Sequence, residues 1–172
     1  MSGGCGTLVP MSKGAGLAVV ISWALVLAGC GSKESVSLGG TINDPVLVVD
    51  QRALGTFLSG SFELNLRLGK FAADPVTVQS PTFTLVGGDS GAEFGVGPLS
   101  ATAVDVTFPL EIAPGKDVTV PFELVASDPI PVDAVDALCA EPVSVVATIP
   151  HSLDGGSTTT AASLPLTPSG CP

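Results

Sequence analysis

Four acidic side chains in the sequence SDPIPVDAVDALCAE, residues 127–141, could supply oxygen ligands for calcium. Their spacing lacks the alternating acidic pattern of an EF-hand loop, and two prolines in the stretch indicate an irregular connection. We therefore expect a solvated acidic loop or a short helix across the end of the domain, with a calcium site as the alternative. The candidate calcium ligands are Asp128, Asp133, Asp136 and Glu141.

The single histidine, His151, is the residue best suited to acid–base chemistry, and it lies near the tip of a predicted hairpin. A catalytic triad requires a nucleophile beside the imidazole, and a zinc site requires further histidine or cysteine ligands. No cysteine and no serine on a strand-to-helix elbow lies near His151 in the sequence, and no further histidine is available as a zinc ligand, so we expect a solvated loop histidine. We predict that the protein is not an enzyme and has no resident metal or cofactor, with a hydrolase using two carboxylates as an alternative.

An apolar run extends from Ala15 to Gly29, after the cation Lys13, and is interrupted only by the polar Ser22. It is shorter than the roughly 20 residues that a membrane-spanning helix needs. The run predicts a signal peptide over residues 1–29, in which Met11 is a more plausible start than Met1. The alternatives are a buried core helix and a secreted protein that is cut earlier.

The end of this run, Leu27-Ala28-Gly29-Cys30, resembles the lipobox of bacterial lipoproteins, where a branched apolar residue and two small residues precede an invariant cysteine. The resemblance implies cleavage before Cys30 and a covalent diacylglycerol lipid on its thiol. It also implies that the protein is anchored in the membrane of the bacterial cell envelope. Gly31 follows the cysteine, and the enterobacterial sorting rule associates a residue other than aspartate there with the outer membrane.

Residues 31–40, GSKESVSLGG, are small and polar and show no periodicity, so we expect a lipidated cysteine and flexible tether over residues 30–40. A single domain follows over residues 41–172. Once the signal peptide is removed and Cys30 carries lipid, Cys139 and Cys171 remain. Because an exported domain lies in an oxidising compartment, we predict a disulfide between them, with two free buried thiols as the alternative.

Charge and aromatic content limit the partners of the mature chain. Five basic and sixteen acidic residues follow the predicted cut, which gives a net charge of −11. This sign is unfavourable for binding nucleic acid, so no nucleic-acid partner is expected. Tyrosine is absent and Trp23 lies in the predicted signal peptide, so the mature chain lacks two residue types that commonly anchor protein interfaces.

The rest of the sequence consists of short alternating runs separated by turn residues, which predicts strands. The clearest run is FELNLRL, residues 62–68, in which large apolar side chains share one face. Residues 46–49, 76–78 and 83–86 predict further strands, the last two being separated by Ser80-Pro81.

Two similar runs, residues 105–112 and 117–124, predict a pair of strands around the turn 113–116. Pairing them places Pro109 opposite Pro121. Because proline donates no backbone hydrogen bond, either the pair lies at a sheet edge or the chain crosses there from one sheet to the other.

The last predicted hairpin pairs residues 143–149 with residues 162–166 around a two-residue loop, Gly155-Gly156. This register pairs Ile149 with Ala162 and turns Leu164 toward the core. In this register Cys171 lies opposite Ala140, the residue next to Cys139. A single bulge would bring the two cysteines to disulfide distance.

Several short strands with turn chemistry between them predict an antiparallel immunoglobulin-like β-sandwich, with a jelly roll or a small β-barrel as the alternative. The stretch from Phe57 to Thr148, which contains IAPGKDVTVPFEL, resembles immunoglobulin-like domains of the hydin and abnormal-spindle type. The resemblance implies the same sandwich fold. We therefore expect a lipid-anchored, non-catalytic structural or binding module, with a calcium-dependent adhesion module as the alternative.

Overall fold

The computed structural model of the chain describes residues 36–126 and 128–171. The predicted signal peptide, Cys30 and the first part of the predicted tether lie outside the described residues. The elements are β1 (Leu38–Arg52), β2 (Gly55–Leu68), β3 (Val76–Val78), β4 (Thr82–Gly87), β5 (Ala101–Ala103), β6 (Leu110–Ile112), β7 (Asp117–Leu124), α1 (Val132–Ala140), β8 (Val143–His151) and β9 (Ser157–Ala162), with a 3-10 turn at Leu153–Gly155.

The described strands form two antiparallel sheets that pack as a sandwich, which confirms the predicted immunoglobulin-like architecture. The first sheet has the order β1-β2-β7-β5. In the second sheet β8 is central: it pairs with β4 and β3 along one edge and with β9 along the other, while β3 also pairs with β6. The interruption between β3 and β4 falls at Ser80-Pro81, as predicted.

The core lies between the two sheets and is filled by alternate residues of each strand. In β2 the apolar positions 62, 64, 66 and 68 are buried while Glu63 and Arg67 are exposed, as the alternation predicts. Phe62 and Phe122 of the first sheet stack at 5.5 Å, and both contact Phe83 of the second sheet edge to face at 4.8 and 4.7 Å. This aromatic cluster joins the two sheets.

Strand β1 begins at Leu38, three residues before the predicted start of the domain at Thr41. The predicted tether therefore overlaps the first strand. The strand needs a glycine at position 40, because a Cβ there would lie 3.0 Å from the Cβ of Ala161 and 3.2 Å from Cδ1 of Ile149. The glycines allow β1 to pack closely against β8 and β9, although by composition they resemble a linker.

The predicted pairing of residues 105–112 with residues 117–124 is wrong, whereas the alternative that the chain crosses between sheets is right. β6 pairs with β3 in the second sheet, and β7 pairs with β2 and β5 in the first. The turn between β6 and β7 packs on the end of β2, where the Gly115 N–H donates to the Leu68 carbonyl at 3.1 Å. Prolines 109 and 121 thus never face each other in one ladder.

The hairpin of β8 and β9 forms, but its predicted register is wrong by three residues: Ile149 pairs with Thr159, not with Ala162. The loop is longer than the predicted Gly155-Gly156 turn because it contains a 3-10 turn with Asp154 in the left-handed region at φ 53°. As a result Leu164, predicted to face the core, is 84% exposed.

Helix α1 confirms the expectation of a short helix in the acidic stretch, and it buries Val135 and Leu138 against the core. The predicted disulfide between Cys139 and Cys171 is present. Just before it, Ser169 joins the outer edge of β1, since its N–H donates to the Leu47 carbonyl at 2.9 Å. The disulfide and this strand edge together fasten the C-terminal segment to the body.

Candidate functional site

The first candidate site surrounds His151, which is only 6% exposed and not the solvated loop residue that the sequence predicts. Strand β8 continues through Pro150, so its inward alternation from Val143 to Ile149 also turns His151 inward. That alternation is the sequence signal that could have placed the imidazole. A cleft of about 550 Å³ opens beside it, lined by Gln79, Pro150, His151, Ser152, Gly156, Ser157 and Thr158.

Both ring nitrogens of His151 face hydroxyl groups. The Thr159 hydroxyl donates to the Leu38 carbonyl at 3.1 Å, so it accepts a hydrogen bond from Nε2–H of His151 at 3.0 Å. This assignment leaves Nδ1 unprotonated, 3.4 Å from Oγ of Ser157, whose own proton goes to the Leu153 carbonyl at 3.0 Å. The serine hydroxyl thus donates to the backbone, and the Thr159 hydroxyl on β9 links the imidazole to the start of β1.

Burial lowers the pKa of His151 below its ordinary value of 6.5, and the negative charge of Asp154 partly opposes this shift. The unfolded chain therefore binds a proton more readily than the folded one. We expect the free energy of unfolding to fall as the pH decreases from above 6.5 toward the lowered pKa. Urea unfolding between pH 7.5 and 5.5, analysed at each pH, measures this dependence.

The control for this prediction is His151→Gln, which keeps an amide donor and acceptor but does not titrate. Its stability should change less than that of the wild type over the same pH range. Equal slopes for the two proteins would contradict the prediction. The two proteins carry the same carboxylates, so the comparison isolates the imidazole.

Glu141, one of the four candidate calcium ligands, instead accepts hydrogen bonds from the loop 88–91. Its Oε1 accepts a hydrogen bond from the Ser90 hydroxyl at 2.7 Å, and its Oε2 accepts from the backbone N–H groups of Ser90 and Asp89 at 2.9 and 3.1 Å. The hydrogen bonds from Ser90 hold the pKa of Glu141 below its ordinary value. The carboxylate oxygens are thus engaged by donors of the loop 88–91.

The other three candidate ligands lie on or just before α1. Asp133 and Asp136 are exposed on the helix, and Asp128 lies in the connection that leads to it. Among the described residues, no three or more histidine, cysteine or acidic side chains are grouped so that they could hold a metal ion. The structure therefore does not bring Asp128, Asp133, Asp136 and Glu141 together.

A small cavity of about 90 Å³ lies between β2, the end of β7, the segment before β5 and the segment that follows β7. It falls below the usual size of small-molecule sites, about 300 Å³ or more. We therefore assign it no ligand. Its lining residues are Leu58, Val96, Pro98, Leu99, Ser100, Leu124, Val125, Asp128 and Ile130.

A larger groove of about 620 Å³ lies at the end of the sandwich where the described chain begins. We call this end of the sandwich, which comprises residues 36–38, 69–75, 113–116 and 152–156, the N-terminal end. Two of its exposed apolar side chains, Val36 and Phe71, line the groove. Sequence reasoning missed this site, because neither residue belongs to an alternating run and only the fold brings them together.

Cys30, the predicted lipidation site, lies outside the described residues. Within residues 36–126 and 128–171, no helix has the length and hydrophobicity needed to span a bilayer. Comparison of the chain with protein-family models, with curated proteins and with solved structures finds no match. Any proposal about its function therefore depends on the residues and geometry of this chain alone.

Proposed function

We propose that this protein is a bacterial lipoprotein whose folded body serves a non-catalytic structural or binding role at the cell envelope. The observation that carries export is the disulfide between Cys139 and Cys171. Disulfides persist in oxidising compartments outside the cytosol, and they are rare in cytosolic proteins. The sequence Leu27-Ala28-Gly29-Cys30 supplies the matching signal, because it resembles a lipobox at the end of a signal peptide.

The anchor in this proposal is a thioether that joins Cys30 to diacylglycerol. Each buried methylene contributes about 0.8 kcal/mol, so two or more acyl chains hold a protein stably in a bilayer. Because β1 begins at Leu38, the tether comprises residues 31–37 and is shorter than the sequence predicted. The body would thus stay close to the membrane, and the residue after Cys30 favours the outer membrane.

A structural or binding role is supported by what the polar groups of the body do. The Ser157 hydroxyl donates its hydrogen bond to the Leu153 carbonyl and not to the imidazole of His151. The carboxylate of Glu141 holds a loop. Side chains that could do chemistry by type are thus used to hold the fold together.

The test is to express the full chain in a Gram-negative host, separate the membranes and measure the intact mass of the product. We expect a chain that begins at Cys30 and carries a diacylglycerol and a further acyl group. The Cys30→Ser variant should keep its upstream residues and lack the lipid. Cys5→Ser is the matched control, and its product should be identical to the wild type.

Two outcomes would overturn the proposal. The first is a wild-type product that retains residues upstream of Cys30 and has an unmodified thiol. The second is a lipid-free product cut at another position, as in a plain secreted protein. Separation of inner and outer membranes by density then tests the predicted location of the lipidated product.

A further inference from the structure

Two apolar side chains are exposed where the chain enters the folded body. Phe71 is 65% exposed in the turn after β2, and Val36 is also exposed. The two segments are joined by the backbone, since the Gly69 N–H donates to the Ser37 carbonyl at 3.0 Å. Val36 and Phe71 thus present apolar surface at the end of the sandwich that the proposed lipid anchor reaches.

One lysine contacts this apolar pair, and a second lies on the neighbouring turn. The ammonium of Lys70 lies 4.9 Å from the ring centroid of Phe71, and the backbone of Lys116 pairs with the end of β2 through the Leu68 N–H at 3.0 Å. Neither ammonium forms an ion pair with a described residue. Lysine side chains of this kind lay their methylenes on apolar surface and extend their charge to phosphate groups at a membrane interface.

The chain length limits which part of the body can reach a membrane. Val36 is six residues after Cys30, and six extended residues span about 20 Å at most. Strand β1 then runs fifteen residues from Leu38 to Arg52, a length of about 45 Å. The turn at residues 53–54 is thus at the far end of the sandwich, and Arg52 there is paired with Asp50 at 2.7 Å.

From these observations we infer that the N-terminal end of the sandwich lies on the phospholipid bilayer, with Phe71 inserted among the headgroups and Lys70 and Lys116 beside the phosphates. The inference rests on the proposed lipid anchor at Cys30. Asp74 and Asp154 also line the groove, so the contact depends on the insertion of Phe71 more than on net charge. It therefore forms on zwitterionic phospholipids and does not require anionic ones.

The experiment uses the fact that the mature chain contains no tryptophan, since Trp23 lies in the predicted signal peptide. Phe71→Trp and Leu54→Trp each introduce one fluorescent reporter at an exposed position, Leu54 being 87% exposed at the opposite end. Each variant is purified as the lipidated product and its mass is measured. It is then reconstituted into zwitterionic vesicles with or without brominated phospholipids, which quench tryptophan on contact.

We expect brominated lipid to remove most of the emission of Phe71→Trp and little of that of Leu54→Trp. Emission from Phe71→Trp should also shift to shorter wavelength when the protein enters vesicles. If Cys30 carries lipid and Phe71→Trp is quenched no more than Leu54→Trp, the orientation is wrong while the lipoprotein proposal stands. A mass without lipid overturns both.

Discussion

Replacing Phe62 by alanine is expected to lower the free energy of unfolding by about 3 to 5 kcal/mol, the range typical of phenylalanine-to-alanine changes in cores. Phe62 is 2% exposed, and its ring contacts Phe122 of its own sheet and Phe83 of the opposite sheet. Removing it leaves a cavity between the sheets that rigid strands fill poorly. Urea unfolding, followed by far-ultraviolet circular dichroism, measures the loss.

The matched control is the same substitution at Phe71, which is exposed at the N-terminal end. Phe71→Ala should change the unfolding free energy by no more than about 0.5 kcal/mol, because it removes little buried surface. A domain typically has only about 5 to 15 kcal/mol of stability, so the two variants are readily separated. Similar stabilities for Phe62→Ala and Phe71→Ala would show that the aromatic cluster does not hold the sheets together.

The second large effect is expected from replacing both Cys139 and Cys171 by serine. The disulfide joins residues 32 apart, and closing a loop of that length removes chain entropy from the unfolded state. We expect the double variant to lose about 3 to 4 kcal/mol of stability. The segment after β9 should also become more accessible to protease, because the hydrogen bonds of Leu166 to β8 and of Ser169 to β1 then hold it without a covalent link.

Reduction of the wild-type protein supplies the comparison. Under a strong thiol reductant the wild type should unfold at the urea concentration of the double variant, whose own midpoint should not respond to reductant. Peptide mapping of the untreated protein, without reduction, should recover the fragments of Cys139 and Cys171 as one linked species. A wild type whose midpoint ignores reductant would mean that the disulfide contributes nothing to stability.

The candidate sites were only partly predictable from the sequence. The pairing of Cys139 with Cys171 followed from the number of cysteines and the expected compartment. The engagement of Glu141 by Ser90 did not, because the two residues are separated by 51 positions and no local pattern links them. The burial of His151 could have been read from the alternation of β8, but Pro150 and Ser152 beside it resemble a loop.

The sequence by itself determined that residues 62–68 form a strand and which of its two faces is buried. This works because side chains of a strand alternate between its two faces, whatever the strand pairs with. The tertiary structure alone decided which strands are neighbours: it separated β6 from β7, shifted β9 by three residues and gathered Val36, Phe71 and the two lysines at one end. Those outcomes depend on packing between residues far apart in the chain, and alternation carries no information about the identity of a partner strand.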